Sequence, residues 1–248
     1  LFLPRTELTS AIEKITQHKA DNRVPEKYHA LGQRDVVLKL PTASPQCEKG
    51  QALSPMAAVD KRLCEWHLAN PGVRVRIGNP DELRSNRMGQ TLDLLKHRVL
   101  NPEDGVAESI QGAVITALNE EAVVSAALAN KGGMNLVVSY EAFAMKMIGA
   151  LRQEIIFARH QKELNRHPRW LSLPVIATSH LWENGKNEQS HQDSAFGEVL
   201  LGEMSDMARV VYPADASTAV ACLDACYQSQ GQVWAMTIPK QEIVVSFS

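Results

Sequence analysis

Apolar runs alternate with amphipathic segments over most of the chain. Five runs rich in β-branched and other apolar residues predict strands, at residues 73–78, 135–140, 173–179, 207–213 and 232–238. Other segments carry apolar side chains at helical spacing and predict helices, at residues 55–70, 87–99, 120–129, 140–165 and 216–228. The predicted strands are apolar throughout rather than alternating, which is typical of parallel strands buried on both faces. We therefore expect an α/β fold, with a mostly parallel sheet and helices on both of its faces.

The first 55 residues follow a different pattern. Leu8, Ile12 and Ile15 give one short amphipathic stretch, and the remainder is polar and punctuated by proline and glycine. Segments of this composition usually link domains or lie along another surface. We expect an extended arm or linker at residues 1–55 and a folded domain at residues 56–248.

Composition and charge narrow the classes of partner. The chain has 248 residues, 44% of them apolar, and a net charge of −2, which gives no indication of a nucleic-acid partner. The apolar runs are too short to cross a bilayer, and the first residues lack the pattern of a secretory signal. The four cysteines form no Cys-x-x-Cys pair, and Cys222 and Cys226 lack partners at metal-ligand spacing, so we expect them in the core. These features favour a cytoplasmic protein with neither a membrane nor a nucleic-acid partner.

Polar segments follow the predicted strands at the positions where parallel sheets form their sites. Residues 79–87 offer carboxylates, a hydroxyl and guanidinium groups, which suit a phosphate site. The same residues also fit an ordinary helix start capped by Asp81 or Ser85. Residues 118–121 and 140–141 supply carboxylates that either act chemically or only pair with a helix dipole.

The third polar segment, SHLWENGKNEQSHQDSAF, occupies residues 179–196. Its lysine and amide side chains suit phosphate or sugar hydroxyls, and His180 and His191 are able to move protons near neutral pH. A solvated loop with ordinary histidines is the alternative. The residues by themselves leave both interpretations open.

Six motifs in one order point to a family. They are NPDELRSNRMGQTLDLLKHRV, LNEE, SYEAF, SHLW followed by SHQD, VVYPADASTA and IPKQ. Together they resemble the middle, pyrimidine-binding domain of the thiamine-diphosphate-dependent phosphoketolases, which act on xylulose 5-phosphate or fructose 6-phosphate. The resemblance covers roughly residues 73–242, and it implies a thiamine-diphosphate-binding, pyrimidine-type domain at residues 56–248.

The resemblance implies roles for three residues close to the chemistry. Glu120 matches the acidic residue that hydrogen-bonds the aminopyrimidine ring of the cofactor and promotes its imino tautomer. Tyr140 matches a tyrosine at the cofactor and substrate pocket. His191 matches a histidine that moves protons. We expect Glu120 to be buried beside a cavity bordered by Tyr140.

The resemblance also implies a set of residues that bind the sugar phosphate or inorganic phosphate. They are Glu82, Ser85, Arg87, Asn184, Lys186, Asn187 and Lys240. Lys186 stands where the family has a histidine, and Asn184 stands where it has a glutamine. Lysine still suits a phosphate group.

The implied activity is a phosphoketolase-type carbon–carbon lyase, in which a ketose phosphate and inorganic phosphate give acetyl phosphate and an aldose phosphate. The 248 residues contain no G-D-G motif for the diphosphate and its Mg²⁺. We therefore expect no metal site in this chain, a partner domain or subunit that holds Mg²⁺ and the diphosphate, and a homo-oligomer. Two alternatives stay open: a non-catalytic domain with an assembly or regulatory role, and a related thiamine-diphosphate enzyme with another donor substrate.

Overall fold

A computed structural model describes residues 4–21, 35–42, 47–179, 192–203 and 206–247. The chain divides into two compact units, Leu1–Arg34 and Asp35–Ser248. In the first unit, helix α1 spans Arg5–Ala20 and buries none of its residues, so the expected short amphipathic stretch belongs to a longer helix. That residues 1–55 act as a linker stays a prediction.

The second unit is an α/β structure. Its strands are β1 (Ala52–Leu53), β2 (Val75–Asn79), β3 (His97–Arg98), β4 (Glu108–Ser109), β5 (Val114–Thr116), β6 (Met134–Tyr140), β7 (Leu173–Thr178), β8 (Ala208–Val211), β9 (Val233–Thr237) and β10 (Ile243–Val244). Its helices are α2 (Pro55–Ala69), α3 (Gly89–Leu95), α4 (Glu120–Leu128), α5 (Glu141–Ala144), α6 (Ile148–Glu163), α7 (Ala195–Leu201) and α8 (Ala216–Tyr227), with a 3₁₀ turn at Met145–Met147. All five predicted strands are present, and their bounds differ from the predicted ones by at most two residues at either end.

The described strands form an eight-stranded sheet in the order β4-β3-β5-β2-β6-β7-β9-β8, and its neighbours pair in parallel. Strands β1 and β10 form a separate antiparallel pair. The predicted fold class is therefore confirmed. None of the helices in the described ranges is long and apolar enough to cross a membrane.

Successive strand residues point to opposite faces of the sheet, and apolar side chains occur on both faces. Helices therefore cover both faces. Leu136 and Val138 of β6 belong to one buried cluster, which includes Trp66 of α2. Val137, between them, belongs to the other cluster, which includes Leu151 of α6. This three-layer arrangement explains why the strands read as continuous apolar runs.

Helix boundaries depend on local caps. Ser54 caps α2 by accepting a hydrogen bond from the Ala57 amide at 3.2 Å. Asp215 and Thr218 form a capping box at the start of α8. Each cap satisfies amides that the first helical turn leaves unpaired.

Helix α3 differs from the prediction in both its cap and its length. Neither Asp81 nor Ser85 caps it; the carboxylate of Asp60, on α2, instead accepts hydrogen bonds from the amides of Gln90 and Thr91. The helix also ends at Leu95 and not at residue 99, because Lys96 adopts a left-handed conformation with φ 58°. The helix predicted at residues 140–165 is likewise divided by the 3₁₀ turn.

Candidate active site

A cavity of about 180 Å³ lies where β2 and β6 end and α4 begins. Its lining includes Asn79, Leu118, Glu120, Tyr140, Phe143 and Lys146. β2 lies between β5 and β6 in the sheet, and α4 follows β5 along the chain. Because parallel strands end at the same edge, residues distant in sequence meet there.

Glu120 lies on the wall of this cavity as the first residue of α4. Asn119 caps the helix by accepting a hydrogen bond from the Ala122 amide at 2.9 Å. Glu120 is only 6% exposed, and its one ion-pair partner among the described residues is Lys146, with Nζ 3.4 Å from Oε2. The expected burial of Glu120 beside a cavity shared with Tyr140 is therefore confirmed.

A glycine on β2 allows the helix that carries Glu120 to pack closely on the sheet. A Cβ added to Gly78 would lie 2.9 Å from the carbonyl oxygen of Val123, on α4. The contact is therefore tighter than a larger residue permits, and it holds the start of α4 against the end of β2.

Tyr140 connects two other strand-end segments. Its hydroxyl lies 2.9 Å from Ser85 Oγ, and Ser85 Oγ itself donates to the carbonyl oxygen of Glu82 at 2.8 Å. Tyr140 is therefore the donor in its bond to Ser85. Lys240, after β9, places Nζ 4.9 Å from the centre of the Tyr140 ring. The structure thus brings together Ser85, Tyr140 and Lys240.

Arg87 and the carboxylate of Glu82 lie at the exposed side of the turn after β2. Arg87 has φ 61°, a left-handed conformation that is uncommon for a residue with a side chain. Asn86 anchors the turn: it is buried, donates to Glu82 O at 3.0 Å and accepts a hydrogen bond from Thr178 Oγ1. Arg87 forms no ion pair with a described residue. Its phosphate-binding role stays a prediction.

Four predicted site residues, Asn184, Lys186, Asn187 and His191, lie outside the described residues, as does His180. Their roles stay predictions. Described structure resumes at Gln192, and the Asp193 amide donates to the buried carboxylate of Glu141 at 3.2 Å. This bond connects the chain before α7 to the residue that follows Tyr140.

The sequence did not single out Asn79, Phe143 or Lys146 as site residues. Asn79 is a polar residue at the end of an apolar strand, and this position was the one signal in the sequence that could have indicated a site residue. Phe143 and Lys146 are three residues apart, and Lys146 Nζ lies 5.3 Å from the centre of the Phe143 ring. Within the described ranges, no group of three His, Cys, Asp or Glu side chains could hold a metal ion.

A larger cavity, of about 490 Å³, lies beside α2 and the segment that precedes it. Cys47, Glu48, Lys61 and Arg62 contribute to its lining. Arg62 is committed to Asp224 and Glu65, at 2.8 and 2.9 Å. No predicted site residue of the described ranges lines this cavity, so the Glu120 cavity is the candidate site.

Solved structures with a similar fold include two transketolases. The enzyme from Leishmania mexicana has a TM-score of 0.64 at 16% identity, and the match covers 83% of this chain and 28% of that chain. The enzyme from Campylobacter jejuni subsp. jejuni also has a TM-score of 0.64, at 15% identity, over 96% of this chain and 33% of that chain. At these identities the likeness establishes the fold alone.

Sequence relatives are named for one activity. A "Probable phosphoketolase" from Brucella abortus is 29% identical over 172 residues, which is 67% of this chain and 22% of that protein. A "Probable phosphoketolase" from Synechocystis is 26% identical over 181 residues, or 70% of this chain and 22% of that protein. The chain thus spans less than a quarter of the length of these relatives. A family model for D-xylulose 5-phosphate/D-fructose 6-phosphate phosphoketolase matches residues 57–229, which is more than half of the chain, and the chain therefore belongs to this family.

Proposed function

We propose that this chain forms the pyrimidine-binding half of a thiamine-diphosphate-dependent phosphoketolase-type enzyme. The reaction is the cleavage of a ketose phosphate with inorganic phosphate, which yields acetyl phosphate and an aldose phosphate. A domain or subunit outside this chain holds the diphosphate and Mg²⁺, and the enzyme acts as a homo-oligomer in the cytoplasm.

The observation that carries the proposal is the environment of Glu120. Its carboxylate is buried and has one cation nearby, at 3.4 Å, and no described group donates a hydrogen bond to it. A buried carboxylate with so few partners is unfavourable unless another molecule completes its hydrogen bonds. The adjoining walls include the rings of Tyr140 and Phe143. This combination fits a flat heteroaromatic ring whose nitrogen shares a proton with the carboxylate.

The cofactor, when bound, supplies carbanion stabilisation, and the residues of this chain bind and orient the reactants around it. Glu120 holds the proton at the ring nitrogen. Ser85, Tyr140 and Lys240 form one hydrogen-bonded and cation–π group beside that ring site. A hydroxyl and an ammonium group suit a sugar phosphate, and Arg87 offers a further cation at the exposed side.

The non-catalytic alternative is favoured by one contact. Lys146 pairs with Glu120 in a cavity of only about 180 Å³, so a cation already neutralises the carboxylate that the reaction needs. Because the Lys146 side chain is 65% exposed, it is able to swing into solvent at little cost, and we therefore favour the enzyme.

Glu120→Gln tests the proposal, since it keeps the shape of the side chain and removes its acidity. The variant is expressed in the source cells and purified together with any co-purifying partner. We expect acetyl phosphate formation from fructose 6-phosphate and inorganic phosphate to fall by about a hundredfold or more. We also expect weaker binding of thiamine diphosphate in calorimetry. Glu121→Gln, at the exposed neighbouring position, is the control and should behave as wild type. Unchanged activity and binding in Glu120→Gln would favour the non-catalytic alternative.

A further inference from the structure

We propose that Asn79 is a ligand-binding residue of the Glu120 cavity, where its side-chain oxygen accepts a hydrogen bond from an N–H or O–H group of the bound molecule. The inference rests on the proposed function of this site and specifies what the site recognises. It assigns a role to the last residue of β2, which lines the cavity.

The orientation of the Asn79 amide is fixed by the sheet. Its Nδ2 donates to the carbonyl oxygen of Val138 at 3.1 Å. The pairing of β2 with β6 extends only as far as Gly78 and Val137, so the Asn79 side chain extends the contact between the two strands. A carbonyl accepts only from a donor, so the nitrogen of the amide must face Val138 and the oxygen must face away.

No described residue donates a hydrogen bond to that oxygen. Asn79 is 1% exposed, and its Oδ1 is buried without a hydrogen bond from any described residue. Buried polar atoms are nearly always hydrogen-bonded in folded proteins, and an unpaired one destabilises the fold. The two other unpaired buried side-chain atoms among the described residues, His67 Nδ1 and Ser179 Oγ, belong to residues that do not line the cavity.

Comparison with the other buried asparagines of the described chain shows what is unusual about Asn79. Each of them uses its side-chain oxygen: the acceptors in Asn70, Asn86, Asn130 and Asn135 bind Lys39 N, Thr178 Oγ1, Arg74 Nε and Asn130 Nδ2. Asn79 and Asn86 both line the cavity shared with Glu120, but Thr178 occupies the acceptor of Asn86, whereas Asn79 alone of these asparagines keeps its acceptor unused. The fold therefore leaves two acceptors for a ligand, the Glu120 carboxylate and Asn79 Oδ1.

A ligand that satisfies both acceptors must present two donors. A protonated ring nitrogen together with an amino substituent meets this requirement, and so does a ring nitrogen together with a hydroxyl of a bound sugar phosphate. The shared chemistry is one N–H or O–H donor directed at Asn79. The cofactor and the sugar are its two possible sources.

The experiment compares Asn79→Ala with Asn135→Ala in the protein as isolated from its source. Asn135 is also buried in the sheet, but its acceptor is satisfied and it does not line the cavity. Calorimetry gives the dissociation constant for thiamine diphosphate with Mg²⁺, and steady-state kinetics gives KM for fructose 6-phosphate. We expect Asn79→Ala to raise one of these constants by about tenfold, the effect of one hydrogen bond. Asn135→Ala should lower stability and leave both constants unchanged.

The outcomes separate this inference from the proposed function. A raised dissociation constant places the donor on the cofactor, and a raised KM alone places it on the sugar. If both constants stay at the wild-type value in Asn79→Ala while Glu120→Gln weakens binding, Asn79 has no ligand role and the proposed function stands. If Glu120→Gln also leaves them unchanged, the proposed function fails, and this inference fails with it.

Discussion

Replacing Gly78 with alanine should push α4 away from β2 and shift the Glu120 carboxylate within its cavity. The new Cβ would lie 2.9 Å from Val123 O and 3.3 Å from Val123 Cβ, so helix or strand must shift by several tenths of an ångström. Overpacking of this kind destabilises a protein by about 1–3 kcal/mol. Alanine in a strand regains about 0.5–1 kcal/mol over glycine, since the backbone of Gly78 has no positive φ.

Taken at the middle of these two ranges, the net loss in the free energy of unfolding is about 1.3 kcal/mol, which corresponds to a fall in Tm of about 3–5 °C. Urea denaturation measures the first quantity, and calorimetric titration with thiamine diphosphate measures the effect on the site. We expect ligand binding to weaken in the folded variant, because Glu120 begins the helix that moves.

Gly132→Ala is the matched control for this substitution. A Cβ at Gly132 would meet no atom within 4 Å, and its φ is not positive. This variant should be as stable as wild type, or slightly more stable, with unchanged ligand binding. Equal stability of Gly78→Ala and Gly132→Ala would refute the argument that close packing at Gly78 positions Glu120.

Two further substitutions test the core. The Arg62 guanidinium is only 4% exposed, and Asp224→Ala removes the carboxylate that binds its Nε and Nη2, so the free energy of unfolding measured in urea should fall by about 3 kcal/mol. The control, Asp93→Ala, breaks the exposed pair with Arg84 and should lower the free energy of unfolding by less than about 1 kcal/mol. Similar losses in the two variants would contradict the reasoning. Burial raises the pKa of the Cys64 thiol to about 11 from its usual 9.0, so the folded state keeps a proton that the unfolded state loses, and stability should fall as pH rises from 9 to 11. The free energy of unfolding, measured by urea denaturation at several pH values from 9 to 11, should fall more steeply with pH for wild type than for Cys64→Ala. The same dependence on pH in both proteins would show that burial does not perturb this thiol.

The central sheet was predictable because burial on both faces leaves a clear signal. Strands β6, β7 and β9 each have a neighbour on both sides in the described sheet, and they appear in the sequence as largely apolar runs. The order of strands and helices then fixes a parallel sheet, and the strand ends locate the site. The convergence of Ser85, Tyr140 and Lys240 follows from this geometry, although the family resemblance was needed to choose them.

The edge of the sheet formed by β4, β3 and β5 was not predictable from periodicity. Strands β3 and β4 have two residues each and β5 has three, which is too short to show a pattern. The cap of α3 was missed for another reason. Its acceptor, Asp60, lies 30 residues earlier on α2, and local cap rules consider only neighbouring residues. Asn79 was missed because an unpaired acceptor becomes visible only when its surroundings are known.

The two parts of the site depend on different features of the fold. Two features of the fold hold Glu120 in place: the Asn119 cap at the start of α4, and the close contact between Gly78 and the buried Val123 of the same helix. Ser85, Arg87 and Lys240 come from segments between helices and strands, where substitutions disturb the core least. Under the proposed function, changes in those segments would alter the molecule that is recognised without moving the carboxylate. Under the proposed function, a change of donor substrate would therefore need changes at Ser85, Arg87 or Lys240 and none in the sheet.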